Sequence, residues 1–197
     1  FNKKLNFDVS YFLSKLSNSI VTRRDSAGGN YYVNAGKSKQ QGVEAALGYE
    51  LFSKPGHWLY KSAVKITYSH YNFKYSSFIQ AGNNFSGNKM PGVSPHNVNV
   101  LADIFTAENI SLNISYSYTG SIALNDANSA SAAAYHLLAA KINYKKQLKS
   151  TWLSFFAGAD NIANTRYSLG NDMNGFGGRY YNLAAARSFY AGIGINL

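Results

Sequence analysis

A chain of 197 residues with 19 Lys plus Arg against 9 Asp plus Glu carries a formal net charge of +10. Its charged content of 14% falls under the ~25% usual for a soluble domain, while 46% hydrophobic and 15% aromatic residues exclude a disordered chain. The absence of Cys removes any disulfide framework, thiolate metal site or Cys nucleophile, and no stretch approaches the ~20 apolar residues of a membrane helix.

The chain begins at Phe1 inside a polar/apolar alternation, with no Met and no signal-peptide pattern, which reads as a processed precursor or part of a longer chain. Period-two alternation then recurs, the mark of strands with two unlike faces. Leu5, Phe7, Val9, Tyr11 and Leu13 share one face, against Asn6, Asp8 and Ser10, with Phe12 on the wrong side. Val43, Ala45, Leu47, Tyr49 and Leu51 follow after Gly42. Beyond the Pro55-Gly56 turn come Trp58, Tyr60, Val64, Ile66 and Tyr68, facing Lys61, Lys65, Thr67 and Ser69. Val98, Val100, Ala102 and Ile104 make a fourth set, and Ile110, Leu112, Ile114, Tyr116 and Tyr118 a fifth. Residues 130–148 hold many helix formers, yet Leu138, Ala140, Ile142 and Tyr144 alternate cleanly with Lys141, Asn143 and Lys145, which favours a sixth strand. Leu153, Phe155, Ala157 and Ala159, then Phe189, Ala191, Ile193, Ile195 and Leu197, complete eight predicted strands.

The connections carry a second signal. Residues 52–57, 106–109 and 146–150 are short turns, whereas 21–39, 76–96, 119–134 and 161–187 are long and rich in Gly, Asn and Ser. Long and short alternate strictly, as expected of an outer-membrane barrel with short periplasmic turns and long extracellular loops. Aliphatic strand centres with Tyr and Trp near the ends suit a lipid-facing wall, and a polar opposite face suits a hydrated lumen. A soluble antiparallel sandwich also alternates but does not require the loop rhythm. The predicted class is all-β: an antiparallel transmembrane β-barrel, or about eight strands of a larger one.

Several segments, in order, resemble TonB-dependent outer-membrane receptors. Residues 156–167, Phe-Ala-Gly-Ala-Asp-Asn-Ile-Ala-Asn-Thr-Arg-Tyr, are similar to the family's late-barrel strand and loop. Residues 177–181 (Gly-Gly-Arg-Tyr-Tyr) and 186–192 (Ala-Arg-Ser-Phe-Tyr-Ala-Gly) resemble its final loop and final strand. Gly92-Val-Ser-Pro-His96 and Gly42-Val-Glu44 resemble two strand openings, while Leu197 stands where the family ends in Phe or Trp. The resemblance implies residues 1–197 as the C-terminal portion of a plugged barrel of about 22 strands, without the plug, in the outer membrane of a Gram-negative bacterium. It implies import of a scarce ligand, ferric siderophores or other iron complexes first. The implied partners are outer-membrane lipid, the remaining barrel strands and plug domain, and a periplasmic TonB-type coupling protein. The alternative is a self-contained eight-stranded barrel acting as anchor or adhesin through its long loops.

No nucleophile–base pair stands out, and His57, His70, His96 and His136 are scattered without metal-ligand spacing, so neither enzyme activity, cofactor nor metal is expected. The lysines show no stripe with interleaved aromatics, which argues against nucleic acid. Lys54, Lys145, Lys146 and Lys149 fall at the short-turn rim. Lys61, Lys65 and Lys141 fall on the polar face, where they either favour anionic cargo or pair with plug carboxylates. Ligand contacts are expected in the long loops, from Arg166, Tyr167, Asn174, Phe176, Arg179, Tyr180 and Tyr181, with Tyr31, Tyr32 and Phe85 as lesser candidates beside Arg23, Arg24 and Phe78. Arg gives bidentate hydrogen bonds to anionic oxygens and the aromatics give stacking surfaces. The competing role for Arg179, Tyr180 and Tyr181 is to pin the loop to the rim.

Overall fold

The computed structural model describes residues 4–196. Phe1, Leu197 and the Arg24 side chain lie outside the described residues. In chain order the strands are β1 (Leu5–Ser17), β2 (Ile20–Arg24), β3 (Asn30–Asn34), β4 (Lys37–Ser53), β5 (Leu59–Ser77), β6 (Ile79–Gln80) and β7 (Asn83–Asn84). They continue as β8 (His96–Thr106), β9 (Ile110–Thr119), β10 (Ile122–Ala123), β11 (Ser131–Ala132), β12 (Tyr135–Leu148), β13 (Thr151–Asp160) and β14 (Ser188–Asn196). The only helical turn among the described residues is a single 3₁₀ turn, Phe176–Gly178. Residues 130–148 thus resolve as strand from Tyr135 onward, neighbouring pairing outweighing helix propensity.

Eight strands form one antiparallel sheet in the order β1-β4-β5-β8-β9-β12-β13-β14, each beside its predecessor. The short turns lie on one rim and the long connections on the other, where β2–β3, β6–β7 and β10–β11 form three small two-stranded ribbons. β1 and β14 are the sheet's two edges and do not pair with each other among the described residues. The membrane strands are longer than the sequence pattern alone indicated: β4 begins at Lys37 and β5 runs to Ser77, lifting their ends well above the apolar stretch.

Register gathers the apolar alternations into continuous rows. One row crosses the whole sheet as Leu5, Tyr49, Val64, Ala102, Ile114, Ala140, Ala159 and Phe189. The opposite face carries rows such as Asn6, Gly48, Lys65, Leu101, Ser115 and Ala139. A one-residue slip at any strand would put polar groups into the apolar row, so the pattern fixes the register. Tyr60 departs from expectation: a register shift between Leu59 and Lys61 takes it out of the alternation, with its ring 6.3 Å from Phe105.

Phe12 finds its reason here. It lies directly opposite Gly42, and a Cβ on Gly42 would come within 2.8 Å of the Phe12 ring. The same pairing recurs on this face, with Phe156 over Gly192 and Tyr190 over Gly158. An aromatic ring laid across a facing glycine covers the backbone that glycine leaves bare.

Two expectations of scatter fail for one reason, that register joins residues remote in sequence. His70 and His96 are directly opposite, with ring centroids 4.6 Å apart, and Tyr68 Oη lies 2.9 Å from His96 Nδ1. His136 lies 2.6 Å by Nδ1 from Tyr116 Oη. Tyr68, Tyr116 and Tyr118 therefore form the long-loop-side aromatic belt together with three histidines. Lys15, Lys39 and Lys74 likewise stand opposite one another in one row.

Candidate functional site: the convergence of the long loops

The four long connections meet around one carboxylate. The segment Asn125-Asp126-Ala127-Asn128 closes as a turn, with Asn128 N–H donating to Asn125 O at 2.9 Å and Asn128 at φ +55°. Asn125 braces it by accepting the Ser129 N–H at 2.9 Å, the local bonding that places Asn and Asp in turns. This presents Asp126, 1% exposed, to all its neighbours.

Arg23 on β2 reaches Asp126 Oδ2 through Nη2 at 2.5 Å. Tyr75, near the end of β5, donates its hydroxyl to Asp126 Oδ1 at 2.6 Å. Asn88 of the 78–95 connection donates to Asp126 O at 2.8 Å, and the Asp126 N–H donates to Asn174 Oδ1 at 2.9 Å. Asn174 N–H in turn donates to Leu124 O at 2.9 Å. A residue from every long connection thus bonds to one turn, and the buried charge itself has an ion-pair partner in Arg23 and a hydroxyl donor in Tyr75.

Apolar packing surrounds this network. Ala35, Tyr75 and Phe78 are buried together, with Val21, Val33, Phe85 and Met90 against them. The Arg23 guanidinium sits 5.7 Å from the Phe85 ring centroid and 6.0 Å from that of Phe78, within cation–π range. Outward alternation on β5 turns polar after His70, at Asn72 and Lys74, so Tyr75 stands beyond the membrane-spanning part of its strand. Burial, and then its bond to the Asp126 carboxylate, hold the Tyr75 hydroxyl protonated well above the ordinary tyrosine range.

A cleft of about 210 Å³ opens beside the network, lined by Arg23, Phe85, Asn125, Asp126, Ala127, Asn174 and Tyr180. Arg23 lines this cleft, while its Nε is buried and without a hydrogen-bond partner. The arrangement suits an anionic group that accepts from Arg23 and from the Asn side chains.

Among the sequence candidates, Asn174, Tyr180 and Phe85 come together at this cleft. Tyr180 Oη accepts from Asn125 Nδ2 at 3.1 Å. The others lie elsewhere. Tyr167 stacks on Tyr135 at 4.6 Å and Tyr181 donates to Ser131 O at 2.9 Å, contacts that pin the last loop to the rim. Tyr31, opposite Arg23 on the β2–β3 ribbon, and Tyr32 are exposed, as are Arg166, Phe176 and Arg179. Arg23, ranked lower on sequence, is the cation the fold brings to the centre. Asp126, Asn88 and Tyr75 were missed; the Asn-Asp-Ala-Asn turn was a visible signal for a turn, but not for what meets there.

The family described as "TonB dependent receptor-like, beta-barrel" matches residues 1–162. Among solved structures, the unliganded ferric citrate transporter FecA aligns over 98% of this chain and 29% of its own length, at 18% identity and TM-score 0.76. The siderophore receptor PiuA from Acinetobacter baumannii aligns over 100% of this chain and 27% of its own, at 19% identity and TM-score 0.70. The copper transporter OprC aligns over 98% and 29%, at 16% identity and TM-score 0.68. The chain therefore spans less than a third of the length of each of these structures, and the likeness is one of fold.

Proposed function

The chain belongs to the TonB-dependent receptor-like β-barrel family, and from that premise we propose that it is the C-terminal portion of the barrel wall of an outer-membrane receptor that imports a ferric siderophore or other iron complex. The observation that carries this reading is the meeting of four long connections on Asp126 at one rim of a lipid-facing wall, beside a cleft lined by Arg23, Asn125 and Asn174. Ferric chelates commonly present carboxylate, catecholate or hydroxamate oxygens, the acceptors that Arg and Asn recognise. A receptor for ferric citrate and a siderophore receptor share the fold, which supports the cargo class. The polar inner face, with Lys65 and Lys141, fits a lumen that houses a plug bearing carboxylates. In this reading a periplasmic coupling protein pulls on that plug, while the wall spans the membrane and the loops capture cargo.

Unpaired strand edges in hydrocarbon cost several kcal/mol per group. β1 and β14 leave two such edges, which favours further wall strands over a self-contained eight-stranded barrel.

The test uses the intact receptor in outer-membrane vesicles, titrated with radiolabelled ferric citrate, a ferric catecholate and a ferric hydroxamate. Saturable binding of one of them, weakened about tenfold or more by Arg23→Ala, is the expected result. Saturable binding of copper ions with none of the iron complexes would overturn the cargo class.

A further inference from the structure

Four lysines far apart in sequence stand side by side on the outer surface of the sheet. Lys15 is directly opposite Lys39, Lys39 opposite Lys74, and Lys74 forms an isolated bridge with Lys89. Two backbone bonds hold that bridge: Tyr75 N–H donates to Asn88 O and Met90 N–H to Phe73 O, each at 3.0 Å. All four residues are exposed. Alternation puts Lys15 on the face of Tyr11 and Leu13, and Lys74 on the face of Tyr68 and His70. The row therefore belongs to the lipid-facing side of the wall and not to the lumen. At a strand spacing of about 4.8 Å it extends over roughly 14 Å.

Its height is set by the register. The row lies four residues above the one containing Tyr11, Val43, His70 and His96, which closes the apolar band. At about 3.3 Å per residue on strands tilted by roughly 40°, that is about 10 Å further from the bilayer centre. This is the level of the headgroups, just outside the hydrocarbon.

Like charges placed directly opposite each other repel, and nothing in the wall offsets them. None of the four ammonium groups has a carboxylate within ion-pair distance among the described residues, where the ion pair is Arg23–Asp126. The nearby acids are engaged elsewhere. Glu44 accepts the Tyr71 hydroxyl on the lumen face, and Asp25 accepts the N–H groups of Ala27 and Gly29 within its own turn. Uncompensated cations at headgroup height, facing the lipid, match a phosphate-bearing surface. Lysine binds phosphate as a point charge, and its apolar stem lies along a greasy wall while the ammonium reaches the interface.

We propose that Lys15, Lys39, Lys74 and Lys89 form a ridge that docks phosphorylated lipid headgroups of the outer leaflet against this side of the barrel. The row bridges more than one phosphate, tying lipid to four separate chain segments at once. The inference rests on the membrane placement proposed above and is independent of the cargo.

The test reconstitutes the intact receptor into vesicles of phosphatidylcholine alone, with bisphosphorylated lipid A, or with dephosphorylated lipid A. It then counts lipid A molecules retained per receptor after transfer to mild detergent. The native protein is expected to retain the bisphosphorylated form and not the dephosphorylated one. The combined Lys15→Gln, Lys39→Gln, Lys74→Gln and Lys89→Gln variant should retain about tenfold less. The same four positions changed to Arg should restore retention, which separates lost charge from misfolding. A control with Lys54→Gln, Lys145→Gln, Lys146→Gln and Lys149→Gln, equal in charge change but on the other rim, should retain lipid like the native protein. Equal retention by the ridge variant, or equal loss in the rim control, overturns the ridge alone. Failure of the native receptor to float with vesicles of any composition overturns the membrane placement as well.

Discussion

The wall and the loop assembly solve the problem of burial in opposite ways. Wall residues such as Phe7, Leu51 and Ile193 leave large apolar surfaces uncovered by protein, at 70%, 57% and 68% exposure. Among the described residues, the hydrophobic side chains that are fully covered, Ala35, Tyr75, Phe78, Leu124 and Ala132, all belong to the long-loop end. The wall takes its apolar environment from lipid outside it, so each strand needs only the right face. The loop assembly must make its own interior, and does so by closing polar groups on one another around Asp126. What stabilises the first is repetitive and local; what stabilises the second is singular and shared by distant segments.

Removing the shared group is the sharpest way to break that comparison. Asp126→Ala leaves Arg23 and Tyr75 without their acceptor, at an expected cost of about 3–5 kcal/mol, as for a broken buried pair. Hydrogen exchange should rise in residues 20–34, 78–95 and 120–134 while the wall strands stay protected. Loss of protection throughout the sheet would show that loops and wall fold as one unit.

The converse change acts on the wall. Ile114 sits in the central apolar row, and Ile114→Arg is expected to cost about 2–4 kcal/mol at the membrane midplane. Its neighbour Ser115 lies on the lumen face, and Ser115→Arg should be close to neutral. Denaturant titration of the vesicle-inserted receptor measures both, and equal effects would contradict the assignment of faces.

A smaller effect is expected on the lumen face, where the Phe12 ring lies across Gly42. A Cβ at Gly42 would meet His70 O at 2.7 Å and Phe12 Cζ at 2.8 Å. Gly42→Ala should therefore cost about 1–3 kcal/mol. Combining it with Phe12→Ala should recover part of that loss, leaving only the contact with the His70 carbonyl. The mildest perturbation is alkaline pH. Because the Tyr75 pKa is raised in the folded protein, its contribution is complete below the ordinary value of 10.0 and declines as pH rises beyond it. Exchange in the loop assembly should accelerate above that pH before the wall responds.

Much of the wall was legible as plain text. Eight alternating segments and the long/short rhythm of their connections specified the strand number, the two rims and the two faces, since each strand meets lipid on one side and lumen on the other. Among the loop candidates, Asn174, Tyr180 and Phe85 line one cleft, but the sequence ranked Arg166 and Arg179 above Arg23. Nothing local distinguishes an arginine that will meet a carboxylate 103 positions away.

The sequence by itself determined the periodic part of this protein, because alternation is imposed residue by residue by the solvent on either side of a strand. The tertiary structure alone decided which residues became neighbours across strands and loops. Register turned His70 and His96 into a pair and Lys15, Lys39, Lys74 and Lys89 into a row, and loop convergence made Asp126 a centre. Those relations depend on contacts between remote segments, for which the linear pattern carries no period.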